Sequence, residues 1–261
     1  MNNISVSYNT IKRKKEKKNT INKPNLNILC IHGLYQSSII LSRKLLEILT
    51  YFKHNYIVNP IIPNGHLNFG IDEETGQEKR GWYEKIDYKC NSNSYNDKIK
   101  KEDCSLNNES KFVYEKFEEG IQRILEEVKD NKDINCIFGF SQGGVLANVI
   151  AMMIETDNKI ASFFPNLKCL ILCSSDIKTD KSISPSIDKI IEDFINKKHT
   201  INIPSLHVYG DKDEVISSEN TIKQSYVYKN PELYNHGGKH YIGKRSVDKL
   251  AYTNFLKKYI K

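Results

Sequence analysis

The segment Ile137-Phe138-Gly139-Phe140-Ser141-Gln142-Gly143-Gly144 constrains this chain more than any other. It reads as a buried strand that ends in Gly-x-Ser-x-Gly and runs straight into an apolar helix, Val145-Leu146-Ala147-Asn148-Val149-Ile150-Ala151-Met152. A serine in so tight a turn takes a strained backbone conformation that only small neighbours allow. Gly139 and Gly143 supply that smallness. The strain lifts the Ser141 hydroxyl out at the top of a sheet, and the following helix directs its positive end at the same spot. Gly-x-Ser-x-Gly alone is a frequent pattern. The strand before it and the helix after it give it meaning.

The rest of the chain repeats that alternation. Asn27–Ile31, Tyr56–Ile62, Ile134–Phe138, Leu167–Cys173, Ile203–Tyr209 and Glu232–Tyr234 read as strands. Residues 38–53, Phe112–Lys129, Ile183–Phe194 and 245–259 carry helical spacing. Strands that are continuous apolar runs, separated by helices, predict an α/β domain with a mostly parallel central sheet and helices on both faces. In such a sheet the site lies at the carboxyl ends of the strands, where the notable polar residues fall. The domain is expected over residues 25–261, after a basic tail over 1–24. Residues 64–110 form a polar stretch, longer than a compact domain carries without purpose. A lid is one reading; a polar insertion, concentrated around 84–110, is the other.

A chain of 261 residues with 39% hydrophobic and 27% charged residues is globular but polar. Its net charge of +7 is concentrated in Lys12-Arg13-Lys14-Lys15-Glu16-Lys17-Lys18. That run reads as a solvated tail, with a nuclear-import signal or a patch for anionic surfaces as the functional alternative. Residues 1–24 lack the apolar core of a secretory signal, and no window is long and apolar enough to cross a bilayer. A cytoplasmic protein is expected, nuclear as well if the run is an address. No nucleic-acid partner is expected. The six cysteines, Cys30, Cys90, Cys104, Cys136, Cys169 and Cys173, show no zinc-ligand spacing, and four lie in strand-like runs. They read as free, buried thiols, with no metal and no organic cofactor.

A serine hydroxyl needs a base within reach, and the base needs an orienting acid. The chain order Ser, then Asp or Glu, then His is that of α/β-hydrolases. Here Gly210-Asp211-Lys212-Asp213 follows one strand and Gly237-Gly238-Lys239-His240 follows the last. Asp213 is the chosen acid, because Gly-x-x-Asp lets a carboxylate turn back toward the sheet; Asp211 and Asp176 are its rivals. His240 is the chosen base, with His236 as rival. Two backbone N–H groups would form an oxyanion hole: Gln142, after the nucleophile, and Leu34, in the turn after the first strand. His32 either lines the site or buttresses that turn.

These residues resemble the FSH family of serine hydrolases. The likeness rests on Cys30-Ile31-His32-Gly33-Leu34-Tyr35-Gln36, Pro63-Asn64-Gly65-His66, Arg80-Gly81-Trp82-Tyr83, Gly139–Gly143, and Pro204–Asp213. It also includes His236-Gly237-Gly238-Lys239-His240, where Lys239 replaces a family glycine and Gly243 stands where a proline is usual. The resemblance covers roughly residues 25–260. It implies a compact α/β-hydrolase fold and hydrolysis of acyl esters, small or lipid-like, through a Ser141-His240-Asp213 triad and an acyl-enzyme. It also implies that Trp82 and His66 lie near the acyl pocket, and Tyr35, at the mouth, and His32 complete the expected substrate pocket. Two other readings stay open: an acyl-protein thioesterase or lysophospholipase, and a binding protein that keeps the fold without turnover.

Overall fold

The computed structural model describes residues 22–88, 111–177 and 185–261. The basic run at 12–18, Cys90, Cys104 and most of the expected 84–110 insertion lie outside the described residues. Ten strands and seven helices are defined among those described. Six strands form one parallel sheet: β1 (Asn25–Ile31), β2 (Ile57–Ile61), β7 (Cys136–Phe140), β8 (Cys169–Cys173), β9 (Ser205–Tyr209) and β10 (Pro231–Asn235), in the order β10-β9-β8-β7-β1-β2. The helices are α1 (Ser38–Phe52), α2 (Phe117–Val128), α3 (Gln142–Thr156), α4 (Asn158–Ala161), α5 (Pro185–Asn196), α6 (Ser218–Ser225) and α7 (Ser246–Tyr259).

The period-two geometry of a strand explains why the central runs are apolar throughout. Leu29, Ile31, Ile137, Leu170 and Leu172 pack into one core, with α2, α3 and α5. Their neighbours Ile28, Cys30, Phe138, Ile171 and Cys173 pack into a second core, with α1 and α7. Both faces of β1, β7 and β8 are therefore buried, and a polar residue mid-strand would unsettle one core or the other. Cys30, Cys136, Cys169 and Cys173 are free and buried among these residues.

The polar stretch after β2 is not loop throughout. It holds the antiparallel pair β3 (Leu67–Ile71) and β4 (Glu78–Gly81), and also β5 (Glu84–Tyr88), which pairs antiparallel with β6 (Lys111–Glu115) just beyond it. The helix expected from Phe112 begins at Phe117, because Lys111–Glu115 pairs as a strand. Lys116 then turns in the left-handed region, at φ 62°.

Candidate functional site

Ser141 sits between β7 and α3 with φ 53° and ψ −121°, a strained backbone for a residue with a side chain. Its N–H donates to the Cys173 carbonyl at 2.9 Å, and its own carbonyl accepts from Gly144 N at 2.8 Å. A methyl group on Gly139 would stand 2.6 Å from the Gly144 Cα. One on Gly143 would collide with the Ile31 and His32 carbonyl oxygens. These two glycines let the turn close against the end of β1.

His240 and Asp213 reach Ser141 from separate loops. His240 Nε2 lies 2.9 Å from Ser141 Oγ, and its Nδ1 lies 2.8 Å from Asp213 Oδ2. The other carboxylate oxygen accepts the backbone N–H groups of Val215 and Ile216, each at 2.9 Å. The Asp213 side chain is 1% exposed and that of His240 20%. Burial alone would raise the Asp213 pKa. The hydrogen bonds from Ile216, His240 and Val215 outweigh it and hold the carboxyl below its ordinary value. The two loops are tied together by Lys212 N–H, which donates to the Gly238 carbonyl at 3.0 Å. The His240 loop is anchored from α7 and its N-cap: Tyr252 donates to the Gly243 carbonyl at 3.0 Å, and Arg245 Nη2 to the His236 carbonyl at 2.7 Å.

The rival residues are engaged elsewhere. Asp211 is exposed and accepts from Asn235 Nδ2 at 2.7 Å. Asp176 is buried and meets Asn220 Nδ2 at 3.3 Å. His236 is buried against Tyr241, and its Nδ1 accepts from Gly238 N–H at 3.1 Å.

The turn after β1 lies against the serine: a methyl group on Gly33 would stand 3.2 Å from Ser141 Cβ. His32 is fully buried beneath this turn. It has one partner per ring nitrogen. Nδ1 donates to the Gly33 carbonyl at 2.8 Å, and Nε2 accepts from Gly65 N–H at 2.9 Å. That pattern requires a neutral ring, and burial pushes its pKa down to about 4. Leu34 and Tyr35 are 37% and 55% exposed, and Tyr35, at φ 57°, sets its ring edge-on to Phe69 with centroids 5.0 Å apart. Trp82, by contrast, has no exposed surface, and its indole N–H donates to the His32 carbonyl at 2.9 Å. His66 is half-buried, and burial lowers its pKa. Sequence reasoning did not assign the Gln142 side chain, which accepts from Trp82 N–H and donates to the Tyr83 carbonyl, both at 2.8 Å. The adjacency of glycine and tryptophan in Arg80-Gly81-Trp82 was the available signal. Among the described residues no group of three or more metal-ligating side chains comes together.

A parallel sheet with a strained serine between its central strand and a helix, faced by a histidine and a carboxylate from the ends of later strands, has the α/β-hydrolase architecture. The solved maize acyl-protein thioesterase 2 shares it, with a TM-score of 0.54 at 16% identity over 90% of this chain and 94% of that one. The chain belongs to the serine hydrolase (FSH1) family, whose model matches residues 22–250. Among its relatives, esterase OVCA2 of Danio rerio is 27% identical over 247 residues, 90% of this chain and 97% of that protein. Esterase GA18864 of Drosophila pseudoobscura pseudoobscura is 26% identical over 140 residues, 54% of this chain. That match spans 44% of the fly protein's own length. No helix among the described residues is long and apolar enough to cross a membrane.

Proposed function

We propose that this protein hydrolyses carboxylic acyl esters, with Ser141 as nucleophile, His240 as general base and Asp213 as the acid that orients it. The observation that carries the reading is the continuous hydrogen-bonded line from Ser141 Oγ through both nitrogens of His240 to a buried carboxylate. His240 Nε2 takes the hydroxyl proton as Oγ attacks the ester carbonyl. Asp213 keeps the other ring proton on Nδ1 and stabilises the imidazolium that forms. The oxyanion is received by the N–H of Gln142, at the free first turn of α3, and by that of Leu34. The alcohol leaves with the proton from His240. Water, activated by the same imidazole, then releases the acid and restores the serine. Exposed Leu34 and Tyr35, with Phe69 packed edge-on against the Tyr35 ring, offer an apolar rim suited to an acyl chain.

A fluorophosphonate probe tests the nucleophile. Labelling of the wild type that is lost in Ser141→Ala supports the reading. An unlabelled wild type means a binding protein on a hydrolase scaffold. Esters of graded chain length, run beside a palmitoylated peptide, separate a carboxylesterase from an acyl-protein thioesterase. A kcat/KM indifferent to chain length sinks the acyl rim.

A further inference from the structure

Arg80-Gly81-Trp82-Tyr83 takes no part in proton transfer, yet its backbone is wedged among three parts of the site. A methyl group on Gly81 would stand 2.8 Å from the Phe69 ring, 3.0 Å from Leu34 Cδ1 and 3.2 Å from Gln142 Oε1. One on Gly120, in α2, would stand 2.5 Å from the Trp82 carbonyl oxygen. Gln142 grips the segment from the elbow by its two side-chain hydrogen bonds, to Trp82 N and the Tyr83 carbonyl. The indole then passes the constraint on, donating to the His32 carbonyl. His32 in turn donates to the Gly33 carbonyl. Two successive peptide planes of the turn are thus each held at the carbonyl by a buried N–H donor. A trans peptide points its N–H opposite to its C=O. Fixing the Gly33 carbonyl against the imidazole therefore fixes the Leu34 N–H in the opposite direction.

We propose that Gly81-Trp82-Tyr83 is a strap that sets the oxyanion-binding turn, with Trp82 as a positioning residue acting through His32 and the Gln142 side chain anchoring the strap to the elbow. This rests on the reading of Leu34 and Gln142 as oxyanion donors. It gives Trp82 an effect on kcat and removes it from the wall that senses acyl-chain length.

Trp82→Phe keeps an aromatic ring and deletes the indole N–H. With a short-chain ester, kcat falls about tenfold, a fraction of the roughly 10²–10³ expected on losing an oxyanion donor outright. KM stays within about twofold. The Ki of a short alkyl boronic acid, which forms a tetrahedral adduct on a serine, rises by the same factor as kcat falls. Unchanged kcat and Ki overturn the strap, as does a loss that appears in KM and grows with chain length. Should Trp82→Phe fail to fold, Gln142→Glu asks the same question. An ionised carboxylate there cannot donate to the Tyr83 carbonyl, so at pH 8 kcat falls about tenfold and the boronic-acid Ki rises by the same factor. Unchanged kcat and Ki overturn the strap. A wild type that is labelled by fluorophosphonate while the variants behave normally removes only the strap; a wild type neither labelled nor active removes the esterase reading as well.

Discussion

Asp213→Asn is the sharpest test of the proposed mechanism, because the structure limits what the new amide can do. One side-chain position accepts two backbone N–H groups and the other faces His240 Nδ1. If the amide oxygen keeps Val215 and Ile216, its NH₂ points at Nδ1. The imidazole must then move its single proton to Nε2, where it faces Ser141 and cannot accept. If the amide turns over, its NH₂ confronts the N–H groups of Val215 and buried Ile216, and the buried bond alone costs about 1–3 kcal/mol. The first arrangement wins, and the variant folds with the wrong tautomer. The lost charge adds to this. A carboxylate about 4 Å from an imidazolium stabilises it by about 4 kcal/mol at an effective dielectric constant of about 20. That corresponds to about 10³ in rate, and the wrong tautomer carries the expected loss to about 10⁴. The assay is kcat/KM on a short-chain ester, with the urea midpoint measured alongside to show that the fold survives. A folded Asp213→Asn variant within about tenfold of wild type would refute the argument. Asp211→Asn serves as the matched control: it removes an exposed charge bonded to Asn235 and leaves the rate within about twofold.

Three further outcomes follow from the same geometry. Gly143→Ala places a methyl group against the Ile31 and His32 carbonyl oxygens, so it destabilises by about 3 kcal/mol or more; an unchanged urea midpoint would contradict the contact. Stability falls in mild acid, because burial holds the folded pKa of His32 near 4. Below about pH 6.5 the unfolded chain takes up a proton that the folded chain refuses, at about 1.4 kcal/mol per pH unit, or roughly 3 kcal/mol by pH 4. Buried His207, near 3, acts in the same direction, and so does Asp213, whose lowered folded pKa gives stability that is lost as pH falls through it. Urea unfolding free energies that are flat from pH 7 to pH 4 would exclude this account. Tyr35→Ala removes an exposed ring from the rim; kcat/KM for long-chain esters drops about tenfold more than for acetate esters, and equal losses would place the chain elsewhere.

The frame and the candidate residues were legible because local chemistry and global fold agree over that part of the chain. Cys136–Phe140 and Cys169–Cys173 had to be central strands, since both alternating faces are apolar. The tight turn at Ser141 was announced by Gly139 and Gly143, where a methyl group would collide with neighbouring backbone. Choosing Asp213 over Asp211 was harder. Two residues apart on one turn, they differ in what the backbone offers them: Asp213 receives two N–H groups and the imidazole, whereas Asp211 faces outward to Asn235. That difference arises from loop geometry, which no periodicity encodes.

The stretch from His66 to Lys116 misled for a more general reason. Its strands are short, and much of their sequence is polar, so neither alternation nor apolar runs announce them. Phe112 and Val113 fall at helical spacing with Phe117, yet they pair with Asp87 and Ile86 across a gap of more than twenty residues in the chain. The break between the two structures is one residue, Lys116, in a left-handed conformation. What holds the neighbouring segment in place is equally remote in sequence. A Gln142 side chain grips residues 82 and 83, an indole reaches back to residue 32, and glycines at 65, 81 and 120 permit the close approaches. Each of those glycines looks like an ordinary turn or helix residue until its partner is known. A segment whose structure is dictated by distant contacts to the elbow at Ser141 is also one whose substitutions should be felt at that elbow. That is why Trp82, remote from Ser141 in sequence and closed off from solvent, is expected to alter turnover more than substrate binding.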